Sequence, residues 1–393
     1  MIRSSCPAGG VFRVRRSAAI ILLSIVFLAA ESALFADGKA VEQDHELERE
    51  SQRRDSPEEP LNIAAVQFEI DEDLVADQAA FVEAVHASVG EAAAEGADLV
   101  VFPEYVNVFP VFANYEDFLT AFESVSISRR ELEYAASGRG GWKTDPILRF
   151  MGMFRLHTGY DSLGKLFLEE AEDTSRFIDR VYGTVAEEHD VYVVAGSFFS
   201  AERAESSENT TSRRGELATE ASDRISVECY DEPCLTNQVV VYGPEGERVY
   251  EQDKVFLTEF EQEIVGLDAG DPRDAEGIDI NGWSVGITIC RDTYFDEWNE
   301  VHADRDVWID LRGEGTEYNE SVRSRLEGAV PERLADTGVP YGLTLFLTGE
   351  FYGLFWEGRS NVLDYTGEDT EYLERADTDE GYDIVTTELR PWE

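Results

Sequence analysis

The chain has 393 residues, 43% of them hydrophobic, with 33 Lys and Arg against 82 Asp and Glu and a formal net charge of -49. That length and apolar content suffice for one large α/β domain or two ordinary ones. The charge argues against a nucleic-acid backbone or an anionic membrane surface as partner, and its spread through nearly every segment after residue 40 points to solvation in a saline setting rather than to one cationic ligand.

The chain begins with a targeting pattern. Arg13, Arg15 and Arg16 precede the uncharged run Ala18–Ala30, which is shorter than a spanning helix, and small residues follow up to a cleavage position near Ala36. Residues 1–36 are expected to be a secretory signal peptide, making the protein secreted or periplasmic; an uncleaved N-terminal anchor is the alternative. Residues 37–60, nearly devoid of large apolar side chains, read as an acidic linker, and 61–393 as the folded domain.

From Leu61 onward, apolar runs alternate with helical patterns. Strands are expected at 61–70, 98–102, 191–198, 237–243, 283–289, 306–311, 341–348 and 360–365, with an Ala-rich helix over 78–94 after the first. Several of these strands are nearly continuous in apolar character, which fits an α/β fold whose sheets are covered by helices. Two longer irregular segments, 106–171 and 201–236, read as insertions at a site rim or interface. Their aromatic clusters, "YVNVFPVFANY" and "FMGMF", suit either an acyl-group pocket or packing against the core.

Export shapes the cysteine reading. Loss of Cys6 with the signal leaves Cys229, Cys234 and Cys290, an odd count in an oxidising compartment. Cys229 and Cys234 sit together in "CYDEPC" and are disulfide candidates, which leaves Cys290 free. The absence of a second Cys/His pair nearby weakens a zinc reading, and no cofactor or metal is expected.

Three strand ends then carry the chemical question. In "VGITICRD" an apolar strand runs out at Cys290, which is either core filling or a nucleophile presented on a turn, where a helix N-terminus would favour the thiolate. In "VVFPEY" Pro103 stops a strand and leaves Glu104 at its tip, as a solvated carboxylate or a base. In "YEQDKVFLTEFE" Lys254 stands isolated among acids, followed by Glu261; a surface ion pair is the plain alternative.

Taken together and in this order, "FPEY", "YEQDKVFLTEFE" and "VGITICRDTYFDEW" resemble the carbon–nitrogen hydrolase family, or nitrilase superfamily. The opening "LNIAAVQFEI", the segment "TNQVVVYGPEGE" and the late "WEGRSNVLDYTG" look like its supporting motifs, so the resemblance runs from about Leu61 to Gly367. It implies a four-layer αββα sandwich with the site at strand ends. It also implies Glu104 as general base, Lys254 as catalytic cation, Cys290 as nucleophile and Glu261 as a supporting carboxylate. Phe256 stands where many members have histidine, Asp296 replaces a proline, and Glu259 interrupts a common "TPFE" form; these departures bear on the substrate branch.

The chemistry is coherent on physical grounds. An amide carbonyl is a poor electrophile, so its hydrolysis gains from a thiolate, a proton carrier and positive charge where the oxyanion develops. Glu104 can carry the proton, while Lys254 and the backbone N–H of Arg291 can form the oxyanion hole. The expected reaction is hydrolysis of a linear amide or N-carbamoyl bond through a thioester. Asp292, two positions after the nucleophile, resembles the amide branches rather than the nitrile branches. Nitrile hydrolysis, N-acyl transfer and a secreted binding protein without turnover are the alternatives, as is a Cys-His hydrolase using His302, the best placed of five histidines. The expected partner is a small amide-type molecule, and a homo-oligomer is compatible with the resemblance.

Overall fold

Buried parallel strands need side chains that are apolar on both faces, and every apolar run expected to be a strand forms one. The computed structural model describes residues 56–123, 154, 156–160, 162–202, 234–315, 318–351, 354–366 and 370–392. Its strands are β1 (Leu61–Ile70), β2 (Leu99–Val101), β3 (Tyr192–Glu202), β4 (Cys234–Tyr242), β5 (Arg248–Asp253), β6 (Ile278–Ile280), β7 (Trp283–Ile289), β8 (Val307–Arg312), β9 (Tyr341–Phe351), β10 (Leu354–Trp356), β11 (Asn361–Asp364), β12 (Glu371–Arg375) and β13 (Asp383–Leu389). The helices are α1 (Glu72–Ala76), α2 (Gln78–Ala94), α3 (Glu116–Glu123), α4 (Leu163–His189), α5 (Glu297–His302) and α6 (Glu320–Thr337).

The strands connect in the order β5-β4-β3-β2-β1-β9-β8-β7-β6, with β13 antiparallel on β1 and the β11–β12 pair on β9. The path has two halves, joined where the end of β1 pairs with the end of β9, Phe68 opposite Leu347. Period-two alternation then sorts the side chains into layers. Ile63 and Ala65 of β1, Val101 of β2, Ile287 and Ile289 of β7 and Leu343 of β9 meet in one core between the two half-sheets. Ala64 and Val66 of β1 face α2 and α4 through Phe81, Val85 and Tyr182, while Trp308 of β8 faces α5 and α6 through Trp298, Val330 and Leu334. Helix, sheet, sheet and helix therefore stack as the αββα sandwich.

The irregular segment 106–171 contributes to the first helical layer. Phe109, Val111 and Phe112 are buried there, Phe154 packs edge-on against Phe118, and α4 begins within the segment at Leu163 under a Ser162 N-cap. Those described aromatics of the two clusters are thus used for packing. Most of 201–236, including Cys229, lies outside the described residues, as do residues 1–36 and most of the linker. The end of the linker is tied to the domain: the Glu59 carbonyl accepts from the Trp283 indole at 3.0 Å, and Ser56 Oγ from the Trp392 N–H at 2.9 Å. No helix among the described residues is long and apolar enough to cross a membrane.

Candidate active site

At the strand ends the chain turns sharply, and each turn delivers a polar side chain to one place. After β2, Pro103 halts the ladder and Glu104 is carried into the interior, fully buried. The next residue, Tyr105, adopts φ 64, and its N–H donates to Ser197 Oγ at 3.0 Å, so the turn is held by β3. Gly196 makes that approach feasible: it has φ +72, and a Cβ there would lie 2.2 Å from the Pro103 carbonyl oxygen.

Lys254 follows β5. Its N–H donates to the Asn237 carbonyl at 2.8 Å, and its own carbonyl accepts from Gly270 at 2.9 Å. Both contacts fix the backbone, leaving Nζ to donate to Glu104 Oε1 at 2.7 Å and to Glu261 Oε1 at 3.0 Å. Glu261 sits on a single π-helical turn, Phe260–Val265, a geometry frequent at functional sites. Its Oε2 accepts from the Thr258 N–H at 2.7 Å and Oγ1 at 3.0 Å, and its Oε1 also accepts from Tyr105 Oη at 2.7 Å. The Asn237 amide on β4 bridges the two carboxylates, 3.1 Å to Glu104 and 2.9 Å to Glu261, and the Gly313 N–H donates to Glu104 Oε2 at 2.9 Å.

These surroundings separate the two glutamates. Burial raises the Glu104 carboxyl and the Lys254 charge offsets that only in part, so it titrates above the usual carboxylate range. Burial also opposes ionisation of Glu261, but the Lys254 ammonium and the Thr258, Tyr105 and Asn237 donors outweigh it and hold that carboxyl below the usual range. Lys254 itself, although burial favours its neutral form, is held above the ordinary lysine value by Glu104 and Glu261. Glu261 is the standing anion of the cluster; Glu104 is the group able to take and return a proton.

Cys290 follows β7 and begins a single 3-10 turn, Cys290–Tyr294, with φ 53. Such left-handed backbone at a non-glycine residue costs about 1–3 kcal/mol and recurs at active sites. The turn is clamped by Asp292, whose carboxylate accepts from the N–H groups of Phe256 at 2.7 Å, Val255 at 3.2 Å and Ile289 at 3.4 Å. Asp292 thereby joins the Cys290 turn to the segment after Lys254, and burial pushes its carboxyl up to about 7. Phe256 stacks on Phe295 with ring centroids 3.6 Å apart, a second tie between the same two segments.

Cys290 is buried, 8% exposed as a whole residue. Burial first, then the Glu104 charge, push its pKa well above the ordinary thiol value, although Lys254 and Arg312 pull the other way. This differs from a thiolate favoured by a helix N-terminus, because α5 starts only at Glu297 and desolvation dominates. Cys290 therefore rests as a thiol. It is free, whereas Cys234 is disulfide-bonded.

Glu104, Lys254 with Glu261, and Cys290 thus converge from three separate segments. His302 does not join them. It stacks on Trp298, lies edge-on to Trp308, has Nε2 3.3 Å from the Ile287 carbonyl and is pushed by burial down to about 3. Tyr105, Asn237, Asp310 and Arg312 were not singled out from the sequence as site residues. Asp310 and Arg312 carried a signal, since two opposite charges interrupt the buried strand "VWIDLR". No group of three or more His, Cys, Asp and Glu able to hold a metal ion occurs among the described residues.

No protein-family model matches this sequence, and no curated protein matches it either. Solved structures do. An amidase from Nesterenkonia sp. AN1 aligns at TM-score 0.51 and 14% identity over 84% of this chain and 93% of its own. A glutamate-to-glutamine variant of the amidase from that organism, with acrylamide added to its active-site cysteine, aligns at TM-score 0.50 and 13% identity over 84% and 93%. A cysteine-to-serine variant, described as an amidase of the nitrilase superfamily, aligns at TM-score 0.50 and 12% identity over 84% and 92%. The two half-sheets, their helical layers and this likeness agree: the chain has the αββα fold of nitrilase-superfamily amidases.

Proposed function

We propose that the protein is a thiol hydrolase of a non-peptide carbon–nitrogen bond, that of a linear amide or N-carbamoyl compound, acting through a Cys290 thioester. The observation that carries this reading is the buried Glu104–Lys254–Glu261 cluster beside a neutral, strained Cys290, on a fold shared with an amidase whose glutamate-to-glutamine variant carries acrylamide on its active-site cysteine.

Cys290 Sγ attacks the carbonyl carbon as its proton passes to Glu104, whose raised pKa suits both taking and releasing it. The carbonyl oxygen becomes an anion beside Lys254 Nζ and the Arg291 N–H. Glu104 returns the proton to the leaving nitrogen, the C–N bond breaks, and a thioester remains. Water attacks that thioester with Glu104 again as base, the C–S bond breaks, and the proton restores the Cys290 thiol. Glu261 never changes charge; it holds Lys254 in place. Export after removal of residues 1–36 would deliver the enzyme to the compartment in which Cys234 is oxidised and Cys290 remains reduced.

The test compares short amides with nitriles of the matching acyl group, alongside N-carbamoyl amines, with ammonia or amine release and intact mass as readouts. Turnover of the amide or carbamoyl member with a transient acyl adduct on Cys290, lost in Cys290→Ala, is expected. Preference for the nitrile, product only when an acceptor amine is added, or full activity of folded Cys290→Ala would overturn the reading.

A further inference from the structure

Asp310 and Arg312 are both fully buried on β8. A buried ion pair is a poor source of stability compared with apolar residues of the same volume, so its presence inside a strand that packs apolar side chains calls for another reason. Arg312 Nε donates to Asp310 Oδ2 at 2.6 Å and Nη1 to Tyr294 Oη at 2.7 Å, while Nη2 is buried without a partner among the described residues. A guanidinium matches its donors when every edge meets an acceptor. Here one edge is left over.

The register places Arg312 beside the nucleophile turn. β7 and β8 are parallel with Ile289 opposite Leu311, so Cys290 and Arg312 are the next residues at neighbouring strand ends. Tyr294, at the far end of the Cys290 turn, is held by Arg312 and carries its guanidinium 5.0 Å from the ring centroid. The charged and titratable groups acting on the thiol are Glu104 and Tyr105 after β2, Lys254 after β5, Tyr294 on its own turn, and Arg312 and Glu314 from β8 and its end. Of the two cations, Lys254 is already bound by two carboxylates. Arg312 answers to one, which takes its Nε edge.

We propose that Arg312 acts on the nucleophile directly: a fixed cation at the end of β8 whose guanidinium, its Nη2 edge without a partner among the described residues, stabilises the Cys290 sulfur when it ionises. Arginine suits this because it stays charged at every working pH, so the field it sets does not vary with the proton traffic at Glu104. The charge of the thiolate and that of the guanidinium stabilise each other. Asp310 orients the guanidinium and tempers its charge. The proposal rests on Cys290 being the nucleophile, as above.

The experiment follows alkylation of the free Cys290 thiol in the full chain by iodoacetamide across pH, read by intact mass. Arg312→Gln should raise the alkylation midpoint by about one pH unit and so slow alkylation near neutrality about tenfold. Arg312→Lys should recover most of it. Asp310→Asn, which frees the guanidinium of its counter-charge, should move the midpoint down and speed alkylation. Opposite signs from the two members of one pair are not produced by a purely structural role, in which both changes would damage the site alike. Folded Arg312→Gln with an unchanged profile, or Asp310→Asn with an unchanged or raised midpoint, would overturn the proposal; if Arg312→Gln does not fold, Asp310→Asn decides alone. Because alkylation needs no substrate, a wild-type protein that turns over no amide yet shows these shifts would sink the hydrolase reading and leave this one standing.

Discussion

Glu104 and Glu261 close on one ammonium from two directions: their Oε1 atoms accept from Lys254 Nζ at 2.7 and 3.0 Å, yet the first carboxyl is raised and the second lowered. The negative charge of Glu261 contributes to raising Glu104. Removing it in Glu261→Gln should therefore bring Glu104 down and move the acid limb of the kcat/KM profile to lower pH, alongside a loss of activity from a less firmly held Lys254. Glu104→Gln should abolish that limb and reduce kcat by about 10²–10⁴. An acid limb that stays put in Glu261→Gln would separate the two carboxylates and contradict this coupling.

Asp292 offers a second, structural pH dependence. Its folded carboxyl is pushed up to about 7 by burial, above the value it has in an unfolded chain. The folded state then binds the proton more tightly, so the Asp292 contribution to stability is fully present below the unfolded value and is lost as pH rises through about 7. Asp292→Asn cannot titrate. Its stability deficit relative to the parent should therefore shrink as pH rises from about 4 to about 8, followed by urea unfolding at each pH. A deficit that widens over that range would show that the ionised form is the one the fold prefers.

Much of this architecture is legible in the sequence because the strands that position the site are covered on both faces. "VYVVAGSF" and "WSVGITI" admit no other reading once paired with the helices between them, and Glu104, Lys254 and Cys290 stand at or just past strand ends. β5, "RVYEQD", and β12, "EYLER", are hidden by their own chemistry: β5 has one buried residue, β12 has none, and both carry the acidic excess of the whole chain. β13 is hidden for a related reason, since only Val385 and Leu389 of its seven residues are buried. Long-range pairing is the other blind spot. That Asn237 bridges two carboxylates, or that Asp292 reaches the segment after Lys254, depends on contacts that no local pattern encodes.

His302 tests how far a histidine's chemistry can be read from its position. It falls after Cys290 on α5, but it is packed between two tryptophans and held neutral by burial, down to about 3. Replacing it with glutamine, which can still reach the Ile287 carbonyl, should cost about 1–3 kcal/mol of stability by thermal unfolding and leave the shape of the kcat/KM profile unaltered. Disappearance of a limb near neutral pH in folded His302→Gln would restore the Cys-His alternative.

The acidic excess makes the last prediction. The formal net charge of -49 is carried on the surface by residues such as Glu172, Asp173 and Asp296, whose side chains are 84%, 72% and 85% exposed. Like charges spread over a folded surface repel more than in the expanded chain, so folding works against their mutual repulsion. Salt shortens the reach of that repulsion from about 10 Å at 0.1 M to about 3 Å at 1 M. Arg176 pairs with Glu172 and Asp173, but such exposed pairs contribute little whose screening would count against folding. The melting temperature should therefore climb by several degrees as NaCl rises to molar concentration. An equally osmotic amount of sucrose separates screening from surface exclusion: a similar rise in sucrose would assign the effect to exclusion, and a flat or falling melting temperature in NaCl would remove the saline reading of the composition.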